Sequence, residues 1–224
     1  MTVTASMVKS LRERTGAGMM DCKNALVESN GDEEKALEII QKKGLAKAAK
    51  RAGAIAAEGV VYSYIHPGSR IGVLVEVNCQ TDFVARNDEF MAFVEDVALQ
   101  IASMSPEYVR PEDISEQDKS KKMEIFRAQV EEMEKQTGKK RPPQAVEKIL
   151  EGKLAKWMSE SCLIHMPSVR DEEGRTLDEV SIALTAKIGE KITIRRFTRF
   201  ELGEGLEKKK TDLAAEVAET LKGA

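Results

Sequence analysis

The sequence predicts an α+β protein, and three observations predict it. The first 50 residues carry three short, capped helical patterns with no strand signal. Two β-branched runs then flank a Pro-Gly turn and give way at Asp88 to a helical period. Finally, residues 112–160 return to helical spacing before a strand-like run at 191–202. Strands grouped apart from helices, rather than alternating with them, define the class.

The elements follow in order. Thr4 caps a first helix whose apolar stripe is Val8 and Leu11, and "TGAG" at 15–18 breaks it. A second helix, "MMDCKNALVES", puts Cys22, Ala25 and Leu26 on one side. Asn30-Gly31 ends it, with glycine suited to the left-handed position after a helix. Asp32 caps the third helix, Glu33 and Glu34 lie at its positive end, and Ala36, Ile39 and Ile40 form its apolar face before Gly44. The Ala- and Lys-rich "LAKAAKRAGAIAAEG" reads as a boundary. "VVYSYI" and "IGVLVEVNC" around "HPGSR" read as a hairpin. Phe90, Phe93, Val94, Val97, Ile101 and Met104 share one helical face. Met123, Phe126, Val130 and Met133, then Val146, Ile149, Leu150, Leu154 and Trp157, make two antiparallel helices around "TGKKRPP". Strand character returns at "SCLIHM", a Thr176/Glu179 capping box opens a short helix, and "KITIRRFTRFEL" is a strand. "DLAAEVAETL", with Leu213, Val217 and Leu221 on one face, is a last helix. The divisions are 1–50, a linker 51–59, a first core half 60–111, the hairpin 112–160, a second core half 161–204 and a C-terminal module 205–224.

Composition narrows the function. At 224 residues, 42% hydrophobic and 33% charged, the chain has the material for one or two globular cores. A net charge of −3 disfavours a general nucleic-acid binder, which carries a basic excess. Three dispersed cysteines, no signal-peptide core and no long apolar run point to a cytoplasmic, reducing setting without membrane association. His66 and His165 lack the companions a metal site needs, and Cys79 at a strand end reads as a small buried residue. "GAGMM" and "GEG" lack the lysine and spacing of a phosphate loop. The expectation is a non-enzyme with no catalytic residue, no metal and no cofactor.

Three stretches invite an interaction reading. Met19-Met20 places two flexible apolar side chains at a helix start, where one fills the core and the other is free for a partner. "RRFTR" at 195–199 is either a basic docking strand or a row paired with neighbouring acids. "EVNCQTDFVARN" at 76–87 sets an acid and one of only six phenylalanines side by side where strand turns to helix. A buried Phe beside a cap and a Phe held out for a partner both fit those residues.

"LRERTGAGMMDCKNAL" (11–26) and "EVNCQTDFVARN" (76–87) closely resemble the two signature stretches of bacterial and plastid translation elongation factor Ts. "FELGEGLEKKKTDLAAEVA" resembles that family's C-terminal module. The resemblance implies a ubiquitin-associated-like N-terminal domain and an α+β core of two related subdomains with a helical hairpin. It implies a guanine-nucleotide exchange factor for elongation factor Tu, meeting both the GDP-bound and the nucleotide-free partner, with 1:1 and 2:2 complexes both open. Carried over by motif, Thr81, Asp82, Phe83 and Val84 form the stretch that disturbs the Mg²⁺ site of Tu. Arg12, Met19 and Met20 form the N-terminal contact, and Ala214, Val217 and Leu221 the C-terminal one. An RNA-associated module using "RRFTR", and a scaffold without exchange activity, are the rival readings; neither accounts for Thr-Asp-Phe-Val.

Overall fold

Local signals set the N-terminal helices in the computed structural model, which describes residues 3–206. In α1, Ala5–Thr15, the Thr4 hydroxyl accepts the Met7 N–H. In α2, Met19–Glu28, the chain stops where Gly31 adopts φ +84° and returns its N–H to the Leu26 carbonyl at 2.7 Å. A side chain at that φ would be strained, so glycine there both ends α2 and aims the chain at α3. Asp32 accepts the Lys35 N–H at the head of α3, Glu33–Arg51. Val8, Leu11, Cys22, Ala25, Leu26 and Ala36 close a small core of their own.

α3 runs on through Gly44 to Arg51, further than the apolar stripe before Gly44 predicts. The reason is tertiary. A Cβ on Gly44 would stand 3.2 Å from the Ala186 methyl, so its absence lets α3 lie close against α8, Leu177–Ile188. That packing repays the weak helix propensity of glycine.

The sheet is antiparallel, in the order β1 (Glu58–Ile65), β2 (Ile71–Cys79), β3 (Thr193–Glu201). β3, assigned to the second core half, pairs directly with β2 from the first. The described residues therefore share one sheet and one main core, where the family resemblance implies two related subdomains. One face of the sheet, with Val73, Val75, Val77 and Ile194, is covered by α5, Asp88–Met104, and α8 packs against α5 and contributes Leu177 to the same core. Phe90, Phe93, Val94, Val97 and Ile101 of α5 are buried there, each contributing about 1.5–3 kcal/mol relative to exposure. Met104, expected on the same stripe, lies exposed in the last turn.

The hairpin is α6 (Glu116–Thr137) and α7 (Pro143–Ser161), packed through Phe126, Val130, Leu150 and Trp157. "SCLIHM" is a correction: Leu163–His165 is a 3-10 turn, so His165 is not in a strand. Its N–H groups are satisfied one by one, Leu163 by the Tyr108 carbonyl at 2.9 Å and Ile164 by that of Val109 at 3.1 Å. Cys162, Leu163 and Met166 are buried, with only an isolated parallel bridge from Cys162 to Tyr108 where a strand was expected.

Candidate partner-binding site

The junction after β2 is built by one turn of helix, α4, Asp82–Ala85. Thr81 enters it extended, and its hydroxyl accepts the Val84 N–H at 3.4 Å. Successive helical residues point about 100° apart. Val84 and Ala85 face the core at 9% exposure each, and the same geometry turns Phe83 outward, to 79%. Val84, grouped with the contact residues by motif, thus supports the turn from behind. Asp82 is not the cap. It sits within the turn, its carboxylate 3.2 Å from Arg86, in an exposed ion pair that contributes little stability.

Residues distant in sequence hold this turn. The Thr81 N–H donates to Glu190 Oε2 at 3.0 Å, and the Thr81 hydroxyl donates to Oε1 at 2.8 Å. The Gln80 side-chain oxygen accepts the Lys191 N–H at 3.0 Å and the Arg51 guanidinium at 3.3 Å. From below, the Cys79 thiol donates to the Thr81 carbonyl at 3.1 Å. Burial, and then the Glu190 carboxylate, push that thiol above its usual pKa, so it remains a proton donor. Lys191 extends the clamp, donating to the carbonyls of Ala52 (2.6 Å) and Ala54 (3.1 Å). Neither Glu190 nor Gln80 nor Lys191 stands out in the sequence, since each partner lies in another element.

Arg12, Met19 and Met20 belong to the N-terminal bundle, apart from α4 in the chain. Arg12 is exposed on α1. Both methionines are open, Met19 at 60% and Met20 at 63%, which corrects the expectation that one fills the core. Cys22, Ala25 and Leu26 already complete that face of α2, and Gly18 before it offers no side-chain cap. Ala214, Val217 and Leu221 lie outside the described residues. The basic strand is paired: Arg195 and Arg196 both reach Glu76 at 2.7 Å, and Arg199 reaches Glu201 at 2.9 Å. A bulge makes the first pairing possible, because Glu76 faces Arg196 while Val77 faces Ile194, leaving Arg195 as the extra residue. The two guanidiniums hold the Glu76 carboxyl down at about 2.

The turn thus holds an aromatic side chain out to solvent, braced from behind by residues distant in the chain. The family model described as Elongation factor TS matches residues 2–175. Elongation factor Ts of Carboxydothermus hydrogenoformans is 56% identical over 220 residues, and that of Desulforamulus reducens 54% over 220, each time with 98% of both chains covered. The chain belongs to the elongation factor Ts family. Membership implies nucleotide exchange on elongation factor Tu in translation. An elongation factor Ts is a nucleotide exchange factor and not a catalytic enzyme in the usual sense. Glu190 lies beyond residue 175 but within the 220-residue alignments. No helix among the described residues is long and apolar enough to cross a membrane.

Proposed function

We propose that this protein binds elongation factor Tu in its GDP form and drives Phe83, with Asp82 beside it, between helices of the nucleotide domain of Tu. The displacement disturbs the Mg²⁺ and phosphate site, GDP leaves, and the complex persists until GTP binds. Mg²⁺ requires near-ideal octahedral geometry at short distances, so a small shift of its supporting loops is costly. A phenyl ring suits the wedge because it is large and stiff for two rotatable bonds. The observation that carries this reading is the 79% exposure of Phe83 on a turn whose neighbours Val84 and Ala85 are buried. A structural phenylalanine at a sheet–helix junction would face the core.

The thermodynamics constrain the cycle. Weakening GDP binding is a coupling free energy, and coupling between bound ligands is reciprocal. Nucleotide must therefore weaken binding of this protein by the same factor, and GTP arrival releases it. Each tenfold change requires about 1.4 kcal/mol of differential contact. Arg12, Met19 and Met20 supply a second contact that anchors the N-terminal bundle on Tu, and the segment holding Ala214, Val217 and Leu221 a third.

Release of labelled GDP from elongation factor Tu, with and without the protein, tests the proposal. Acceleration that saturates with protein concentration is expected; an unchanged rate would sink it. The RNA reading loses force because Arg195 and Arg196 are both committed to Glu76. A salt titration against RNA should show no steep dependence of binding.

A further inference from the structure

We infer that Glu190 is a positioning residue for Phe83: it supplies, from the loop between α8 and β3, the cap acceptor that the one-turn helix α4 lacks in its own sequence. The inference rests on the wedge reading of Phe83.

α8 shows what a complete local cap looks like. The Thr176 hydroxyl accepts the Glu179 N–H at 3.3 Å, while the Glu179 carboxylate accepts the Thr176 N–H at 2.7 Å and its hydroxyl at 3.0 Å. Threonine and the acid three residues later satisfy each other. α4 has the same threonine, but the residue three positions on is Val84, which is buried in the main core. An acid there would lose that packing and bury a charge. Glu190 makes the missing bonds instead, accepting the Thr81 N–H at 3.0 Å and the hydroxyl at 2.8 Å. The pattern of donors and acceptors is that of α8, with the acid 109 residues away in the chain.

The need is mechanical. Four helical residues are far too few for a helix to persist by itself, because nucleation costs more than one turn returns. A wedge that bears on another protein must not yield at its base. Val84 and Ala85 anchor one side of the turn, and Glu190 fixes the backbone at its entrance. Gly189, at φ +85°, ends α8 and turns the next residue toward Thr81. Lys191 then ties the same loop to Gln80 and to the carbonyls of Ala52 and Ala54. Glu190 touches neither nucleotide nor partner in this scheme and works through the orientation of Phe83.

The test is a double-mutant cycle in catalysed GDP release, using the full chain and elongation factor Tu, with wild type, Glu190→Ala, Phe83→Ala and the double variant. Glu190→Ala should lower the maximal rate several-fold and leave the half-saturating concentration nearly unchanged. In the Phe83→Ala background it should lower the rate little further. A merely structural role would cut the rate by the same factor in both backgrounds, in step with melting temperature, and that result overturns the inference. Glu190→Gln keeps one acceptor oxygen and should recover part of the rate; it also serves if Glu190→Ala does not fold, and a Gln variant with normal Thr81 amide protection and no rate recovery counts against the role. If Phe83→Ala itself exchanges normally, the wedge reading fails; if Phe83→Ala is slow while Glu190→Ala is normal, the wedge stands and Glu190 has no part in it.

Discussion

Two of the places that hold apolar side chains out to solvent are built on opposite plans. At α4 the exposed group is a stiff ring on a turn fixed from three sides, by the buried Val84 and Ala85, by Glu190 and by the Cys79 thiol. At the start of α2 the exposed groups are two unbranched thioethers behind an N-terminus with no side-chain cap. Asp21, in the same first turn, is paired with Lys47 at 2.8 Å across the surface. A braced ring transmits displacement, whereas flexible methionines conform to whatever they meet. Under the proposed function, the contrast would give force to one site and adhesion to the other.

The sharpest way to break that contrast is Phe83→Ala. Maximal GDP release should fall by roughly tenfold, the loss expected of a contact worth over 1 kcal/mol at an interface. Its melting temperature should hardly move, because a ring already 79% exposed leaves no cavity. Stopped-flow release and calorimetry on one preparation decide the matter; early melting with normal exchange per folded molecule would return Phe83 to the core. The neighbouring Val84→Ala should behave in reverse. Removing two buried methyl groups' worth of contact costs about 2 kcal/mol of stability, read by denaturant unfolding, while exchange per folded molecule falls less than for Phe83→Ala.

Met20→Ala should raise the half-saturating concentration several-fold and leave the maximal rate and the melting temperature near wild type. A loss seen in the rate alone would contradict the division of labour between the two sites. The smallest effect concerns pH. Glu76 titrates at about 2 when folded, below its ordinary range, so the stability it contributes is complete above about pH 4.5 and is lost as pH falls through 2. Between pH 5 and 2.5 the wild-type melting temperature should therefore decline more steeply than that of Glu76→Gln. Parallel curves would mean that the two arginines do not hold the carboxylate in solution.

What could be read in the sequence was short-range. Thr4, Asp32 and the Thr176/Glu179 box cap the helices that their spacing predicts, because a cap joins residues three apart. The hairpin of β1 and β2 was visible for the same reason. The pairing of β3 with β2 was not, since nothing in "TIRRFTRFE" states its partner, and the bulge at Glu76 appears only once both strands are placed. The continuation of α3 through Gly44 required knowledge of Ala186. At the site, the direction of Phe83 stayed open between two readings until family resemblance favoured one. Glu190 stayed invisible although it performs the chemistry that made Glu179 easy to find.

β2 lies at the centre of the sheet, yet its two neighbours are made at very different times. β1 precedes it by a turn of five residues, 66–70, and a hairpin of that kind closes in microseconds. β3 begins at Thr193, after the whole of α5, α6, α7 and α8. A ribosome adding roughly 5–20 residues per second therefore leaves one edge of β2 unpaired for many seconds. Throughout that interval the nascent chain presents an open strand, the form most prone to mispairing. Thr81 waits equally long for its distant carboxylate. In pulse-labelled hydrogen exchange on ribosome-bound chains, Val84 should gain protection only after residue 201 has emerged; earlier protection would show that the turn sets without its brace. The turn that carries Phe83 thus gains its brace only after α5, α6, α7 and α8 have all been made.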